Sequence, residues 1–354
     1  MGGHSGGCCR LSYLLPPAVR AGTLFDRWCK CIHVVILWNT GWNTGWNSDH
    51  PGSCRCVTCN TDEVTMPGFP IIDTHVHLTD IDRLGYEGLR AEAPALYKSF
   101  DLQRFHEASS AVDLEAFLFM EVCVDTPYRA REAGWVTELA AEDSRLQGMI
   151  VSAAIESGTA VESELEAYAA NPLVKGVRRL LQSEADDFGA RSGFIEGLRC
   201  LPKHQLSFDI CIAERQLPAV IEMVRACPDV SFMLDHVAKP RIKEGEIEPW
   251  RSHIVTLAEM PNVVCKVSGM VTEADHESWT RDDLRPYFDH IFETFGFDRV
   301  AFGGDWFVSE LATTYPEWIA TVDWATEGCS DDERRKLYCE NARAFYRLES
   351  GGRS

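Results

Sequence analysis

The chain has 354 residues, 45% of them apolar and 25% charged, and a formal net charge of −20. That is globular composition, long enough to bury a large core. So negative a field repels phosphate backbones and anionic lipid surfaces, which argues against nucleic acid and membrane partners. No apolar stretch approaches the ~20 residues of a membrane span. The apolar run 32–38 lies too far in, and lacks the following small-residue cleavage site, to read as a secretory signal.

Residues 1–65 differ in kind from the rest of the chain. Gly, Cys and Trp accumulate there without period, and Trp38-Asn39-Thr40-Gly41 repeats as Trp42-Asn43-Thr44-Gly45. This stretch is read as a disordered or spurious extension joined upstream of a start at Met66. Its cluster Cys54, Cys56 and Cys59 has no matching second cluster and is read as incidental rather than as a zinc site. Farther on, Cys123, Cys211 and Cys265 sit inside apolar runs, where a thiol behaves as a small core residue. No disulfide framework is implied, and a reducing, cytoplasmic compartment is expected.

From residue 70 onward short β-branched or apolar runs alternate with longer amphipathic ones. The runs 70–75, 116–122, 147–153, 176–181, 206–212, 231–236, 263–268 and 299–304 are predicted as strands. Helical patterns fill the gaps, among them 127–142 with Thr126 as N-cap, and 217–226. The last helix opens on the capping box Ser330-Asp331-Asp332-Glu333 and carries Leu337, Phe345 and Leu348 toward the strands. Eight strands each followed by a helix predict one α/β domain over 66–350, a (β/α)8 TIM barrel. His106, His253 and His290 fall in helical patterns and are read as solvent-facing; His4, His33, His50, His204 and His276 are set aside.

Barrel chemistry sits at the C-terminal strand ends. The first strand ends in Asp73-Thr74-His75-Val76-His77, whose two imidazoles leave one side of an extended chain. The sixth ends in Asp235-His236 and the eighth in Gly304-Asp305-Trp306. Each is ambiguous alone, since histidines can be structural and a strand-end Asp can be a helix cap or an ion-pair partner. Together they converge on one mouth. Three imidazoles and a carboxylate can hold a zinc-like ion with an open position, or poise a water between a base and electrophilic donors.

Four segments in order carry a resemblance: Pro70-Ile71-Ile72-Asp73-Thr74-His75-Val76-His77-Leu78, Met233 to Pro240, Asn262 to Ala274, and Ala301 to Trp306. Over about 70–348 the chain resembles the amidohydrolase superfamily, in its branch of sugar-lactone hydrolases. The resemblance implies a functional set of His75, His77, His236 and Asp305, with Asp305 as the base that activates water. It implies one divalent metal such as zinc, or none, and no organic cofactor. The bridging residue and fifth-strand His of two-metal members are missing here, where the fourth strand offers Lys175, Arg178 and Arg179. The eighth-strand motif usually reads Ser-Asp-Trp-Pro, whereas this chain has Gly304 and Phe307.

The expected chemistry is water attack on a lactone or related carboxyl ester, with Asp305 and His236 catalytic and Arg178 steadying the oxyanion. Glu121, Lys266, Lys239 and Trp306 are candidates for binding the substrate, although Glu121 and Lys266 can instead pair with interior charges. Sibling decarboxylase or hydratase chemistry, a metal-dependent nuclease and a non-catalytic binding barrel are the alternatives. Oligomeric state is not legible.

Overall fold

The computed structural model describes residues 66–349; the expectations for 1–65, including the cysteine cluster, lie outside them. Eight strands run in chain order: β1 (Ile71–Val76), β2 (Leu114–Met120), β3 (Leu146–Ser152), β4 (Val174–Arg178), β5 (Ser207–Ile210), β6 (Phe232–Leu234), β7 (Val263–Val267) and β8 (Val300–Phe302). All pair in parallel with their sequence neighbours, in the order β1 to β8. A parallel bridge between Val76 and Trp306, with His77 N donating to Trp306 O at 2.6 Å, brings the ends of β1 and β8 together. The result is a nearly closed (β/α)8 barrel.

Alternation along the strands builds two apolar layers. In β2, Phe117 and Phe119 pack outward under the helices, while Ala116, Leu118 and Met120 join Ile72, Ile150, Met233 and Ala301 inside the barrel. Ala342, Tyr346 and Leu348, from the C-terminal segment, complete that inner group. Arg347 donates to the carbonyls of Lys175 and Gln205, at the starts of β4 and β5, so this segment covers the N-terminal face. The opposite face is left for chemistry.

Several sequence expectations need adjustment. Strands expected over 231–236 and 299–304 contain only Phe232–Leu234 and Val300–Phe302. At the mouth the chain leaves the ladder: His236, Val237, Ala238 and Lys239 have φ of 53°, 48°, 64° and 48°, and Asp305 has 52°. Thr126 caps nothing; with Pro127 it forms a 3-10 turn (Thr126–Tyr128) ahead of the helix Arg129–Glu142. His290 is buried rather than solvent-facing, packing on Trp250 at 5.3 Å with Nε2 2.9 Å from Arg251 O. His106 is exposed as expected and His253 half-buried. The capping box at Ser330 is present. Among the described residues seven cysteines are free, and no helix is long and apolar enough to cross a membrane.

Candidate active site

Asp73, His75 and His77 share one side of the chain at β1 and are all buried. The Asp73 carboxylate accepts from His75 N (2.8 Å), Gly304 N (2.8 Å) and Tyr315 Oη (2.7 Å), so it ties the end of β1 to the end of β8. A Cβ on Gly304 would collide with Asp73 Oδ2 and the Tyr315 ring, so this tyrosine leaves room only for glycine before Asp305. Phe307 stacks on Phe100 with ring centroids 3.7 Å apart and rests beside His77. Those two contacts shape the loop where a proline is usual.

His75, His77 and Asp305 then meet. His75 Nε2 and His77 Nε2 are 3.2 Å apart, and Asp305 Oδ1 lies 3.6 Å from the first and 3.5 Å from the second. His77 Nδ1 sits 2.9 Å from the Met120 carbonyl, which can only accept, so Nδ1 carries the hydrogen and Nε2 presents its lone pair to the mouth. These separations match the roughly 3.3 Å between ligands of a tetrahedral ion with bonds near 2.0 Å. The donor set of His75, His77 and Asp305 therefore fits one divalent metal. A second grouping, His75, Asp235 and His236, shares His75, and each grouping has a side-chain cation beside that imidazole: Arg178 Nη1 lies 3.2 Å from Nε2 at the first. Lys266 Nζ is 2.8 Å from Asp235 Oδ1 and 3.2 Å from His75 Nδ1.

His236 enters from the left-handed turn after β6. Its Nδ1 lies 2.9 Å from Ser268 Oγ and 4.0 Å from Asp305 Oδ2. Non-glycine residues rarely adopt positive φ, and Val237 is β-branched, so four in a row are held by their surroundings; Trp250 Nε1 donates to Val237 O at 2.7 Å. Gly269 (φ 59°) makes room for the imidazole, because a Cβ there would collide with His236 Nδ1 and crowd Asp305 Oδ2 at 3.1 Å.

Under the imidazoles lies a column of buried charge. Tyr346 Oη donates to Asp209 Oδ2 (2.7 Å), and Lys266 joins Asp209 to Asp235 at 2.8 Å each. Arg178 joins Asp235 (3.3 Å) to Glu121 (2.7 Å) and sets Nη1 3.2 Å from His75 Nε2. Burial pushes the Asp209 carboxyl up. Burial pushes on Asp235 too, but Lys266, His236 and Arg178 outweigh it and hold that carboxyl low. Burial, helped by Lys266, His77 and Arg178, keeps His75 well below the ordinary imidazole range, and burial does the same for His236. Asp305 is lowered despite burial, by His236 and His77. The mouth thus sets the Asp305 carboxylate among three imidazoles.

The mouth opens into a cavity of about 160 Å³, lined by Asp305, His77, His236, Arg178 and Lys239. Of the residues expected to bind substrate, Lys239 lines it, paired with Glu273 at 3.4 Å. Glu121, Lys266 and Trp306 are buried and do not line it. Glu121 orients Arg178, Lys266 belongs to the column, and Trp306 packs on Phe105 with Nε1 donating to Glu310. Strand-end patterning alone does not single out Asp209, Asp235 or Asp73. A carboxylate inside an apolar strand, as in Ser207–Ile210, is the signal that marks such a residue.

Architecture and site together place the chain among the (β/α)8 barrels that carry their functional residues at the C-terminal strand ends. The chain belongs to the amidohydrolase family, whose model matches residues 72–348. It is 30% identical over 290 residues to an L-fucono-1,5-lactonase of Burkholderia ambifaria, covering 78% of this chain and 96% of that protein. It is likewise 30% identical over 289 residues to an L-fucono-1,5-lactonase of Burkholderia multivorans, covering 78% and 96%. A solved Burkholderia multivorans amidohydrolase with bound zinc superimposes with a TM-score of 0.70 at 28% identity, over 79% of this chain and all of that one.

Proposed function

We propose that this enzyme opens a lactone ring, that of a sugar acid or a closely related carboxyl ester, by attack of water with Asp305 as general base. The observation that carries the reading is the Asp305 carboxylate, 3.5 Å from His77 Nε2 and 4.0 Å from His236 Nδ1, at a cavity that also presents Arg178. The likeness to L-fucono-1,5-lactonases across nearly their whole length supports the substrate class.

Asp305 takes a proton from water as the water oxygen bonds to the acyl carbon. The carbonyl oxygen gains charge, and the Arg178 guanidinium and the imidazole of His236 meet it. When the acyl–oxygen bond of the ring breaks, the proton on Asp305 passes to the departing alkoxide, and a hydroxy acid leaves. Water and acyl ester need no organic cofactor for this. A single divalent ion such as zinc, held by His75, His77 and Asp305 with His236 beside them, would supply Lewis-acid polarisation of the carbonyl. Lys239, held by Glu273, is placed to steady the substrate from the side.

Titrating the acid released from a panel of aldonolactones, with and without a chelator, tests the proposal. The expected result is steady acid release that depends on lactone. Failure to open any lactone overturns it. A fall on chelation, restored by zinc, would assign the Lewis-acid role to the metal; full activity in chelator would leave the oxyanion to Arg178 and the imidazoles.

A further inference from the structure

The cavity carries two polar groups that the reaction does not use. Glu92 ends the short helix Glu87–Glu92, and Gln182 lies in the loop after β4; both line the cavity. Ser183 Oγ lies 3.4 Å from Glu92 Oε1, which places the carboxylate beside the turn that carries Gln182. Every other charged side chain of the lining is committed: Arg178 to Glu121 and Asp235, Lys239 to Glu273, and Asp305 to the imidazoles. Gln182 Oε1 receives only the long Cys211 Sγ contact at 3.6 Å, and its amide N–H groups meet no protein acceptor among the described residues.

The helix that carries Glu92 is anchored by a close contact, while the Glu92 side chain itself is exposed. The Glu87–Glu92 helix lies so close to the loop after β2 that a Cβ on Gly88 would come within 2.6 Å of Cys123 Sγ. Glu87 N donates to Asp125 Oδ1 at 3.1 Å, and Asp125 N donates to Gly85 O at 2.9 Å. Leu89, Leu96, Leu180 and Leu311 line the cavity around the two polar groups.

We infer that Glu92 and Gln182 determine specificity by reading a pair of adjacent hydroxyls on the substrate ring, while the leucines take its C–H face. Glu92 accepts from one hydroxyl and Gln182 donates to the oxygen of the next. A vicinal diol supplies that donor and acceptor together; a deoxy ring bound over the exposed Glu92 and half-buried Gln182 would displace their water without replacing its hydrogen bonds. This inference rests on the lactonase reading and names which part of the substrate that site recognises.

The test compares kcat/KM for an aldono-1,5-lactone bearing vicinal hydroxyls with that for its dideoxy counterpart, in the wild type, Glu92→Leu and Gln182→Leu. The wild type should prefer the diol by about 10- to 100-fold, the scale of one hydrogen bond to a charged group. Glu92→Leu should lose most of that preference and Gln182→Leu a smaller part of it, with Glu92→Gln retaining an intermediate share. Thermal unfolding of each variant checks that it is folded. A folded Glu92→Leu or Gln182→Leu protein that keeps the full preference overturns the inference. If the wild type opens neither lactone, the lactonase reading fails; if it opens both with an unaltered preference across the variants, only this assignment fails.

Discussion

The barrel contains two interiors governed by different physics. Between strands and helices, side chains such as Phe117, Phe208, Leu257 and Ile291 form a dry layer in which each buried aliphatic or aromatic group stabilises by ~1.5–3 kcal/mol. In the mouth half of the barrel, Asp209, Lys266, Asp235, Arg178 and Glu121 are equally buried but charged, and their attraction mostly offsets the cost of leaving water. The first region makes the fold. The second holds imidazoles and a carboxylate in fixed positions on a backbone bent through positive φ, and so contributes orientation more than stability.

Substitutions in each region sharpen that contrast. Lys266→Met removes the cation between Asp209 and Asp235, and leaves two buried carboxylates facing each other near His75. A loss of about 3–5 kcal/mol is expected, together with loss of turnover, read by denaturant unfolding and lactone hydrolysis. In the dry layer, Leu257→Ala should cost about 2–5 kcal/mol and leave kcat/KM of the folded enzyme near the wild-type value. An inactive but fully stable Leu257→Ala protein would contradict the division of roles.

A smaller effect is expected where the part-exposed His106 and Arg145 meet the buried Asp143. Burial pushes the Asp143 carboxyl up, but Arg145 and His106 pull harder and bring it down to about 2. Because the folded-state value lies below the unfolded one, its contribution is present above the ordinary carboxylate range and is lost as pH falls through about 2. Asp143→Asn should therefore be less stable than wild type at pH 6, and the two should converge near pH 2. Melting curves across that range provide the check; a constant gap would show that charge plays no part.

The dry layer is the more legible region in the sequence. Eight apolar runs at barrel spacing mark all eight strands, because alternation and β-branching act locally. The histidines and Asp305 stand out because each lies at a strand end. Glu121, Lys266 and Trp306 look like ligand-binding residues from their strand positions, yet the first two are consumed by Arg178 and by Asp209 and Asp235, and the third packs on Phe105. Which charges pair inside a barrel depends on contacts between residues far apart in the chain, such as Tyr346 with Asp209. Glu92 and Gln182 are invisible in the sequence for the same reason: nothing local says that the end of a short helix or a loop residue lines the mouth.

Asp305→Asn tests the account most directly. The amide keeps the shape of the side chain and removes the proton acceptor, so lactone kcat should fall by about 10²–10⁴ while the thermal midpoint stays close to wild type. If Asp305 were only a cap for the segment after β8, the same variant would lose about 1 kcal/mol of stability and keep its turnover. A folded Asp305→Asn enzyme that opens lactones at the wild-type rate would contradict the assignment of the base.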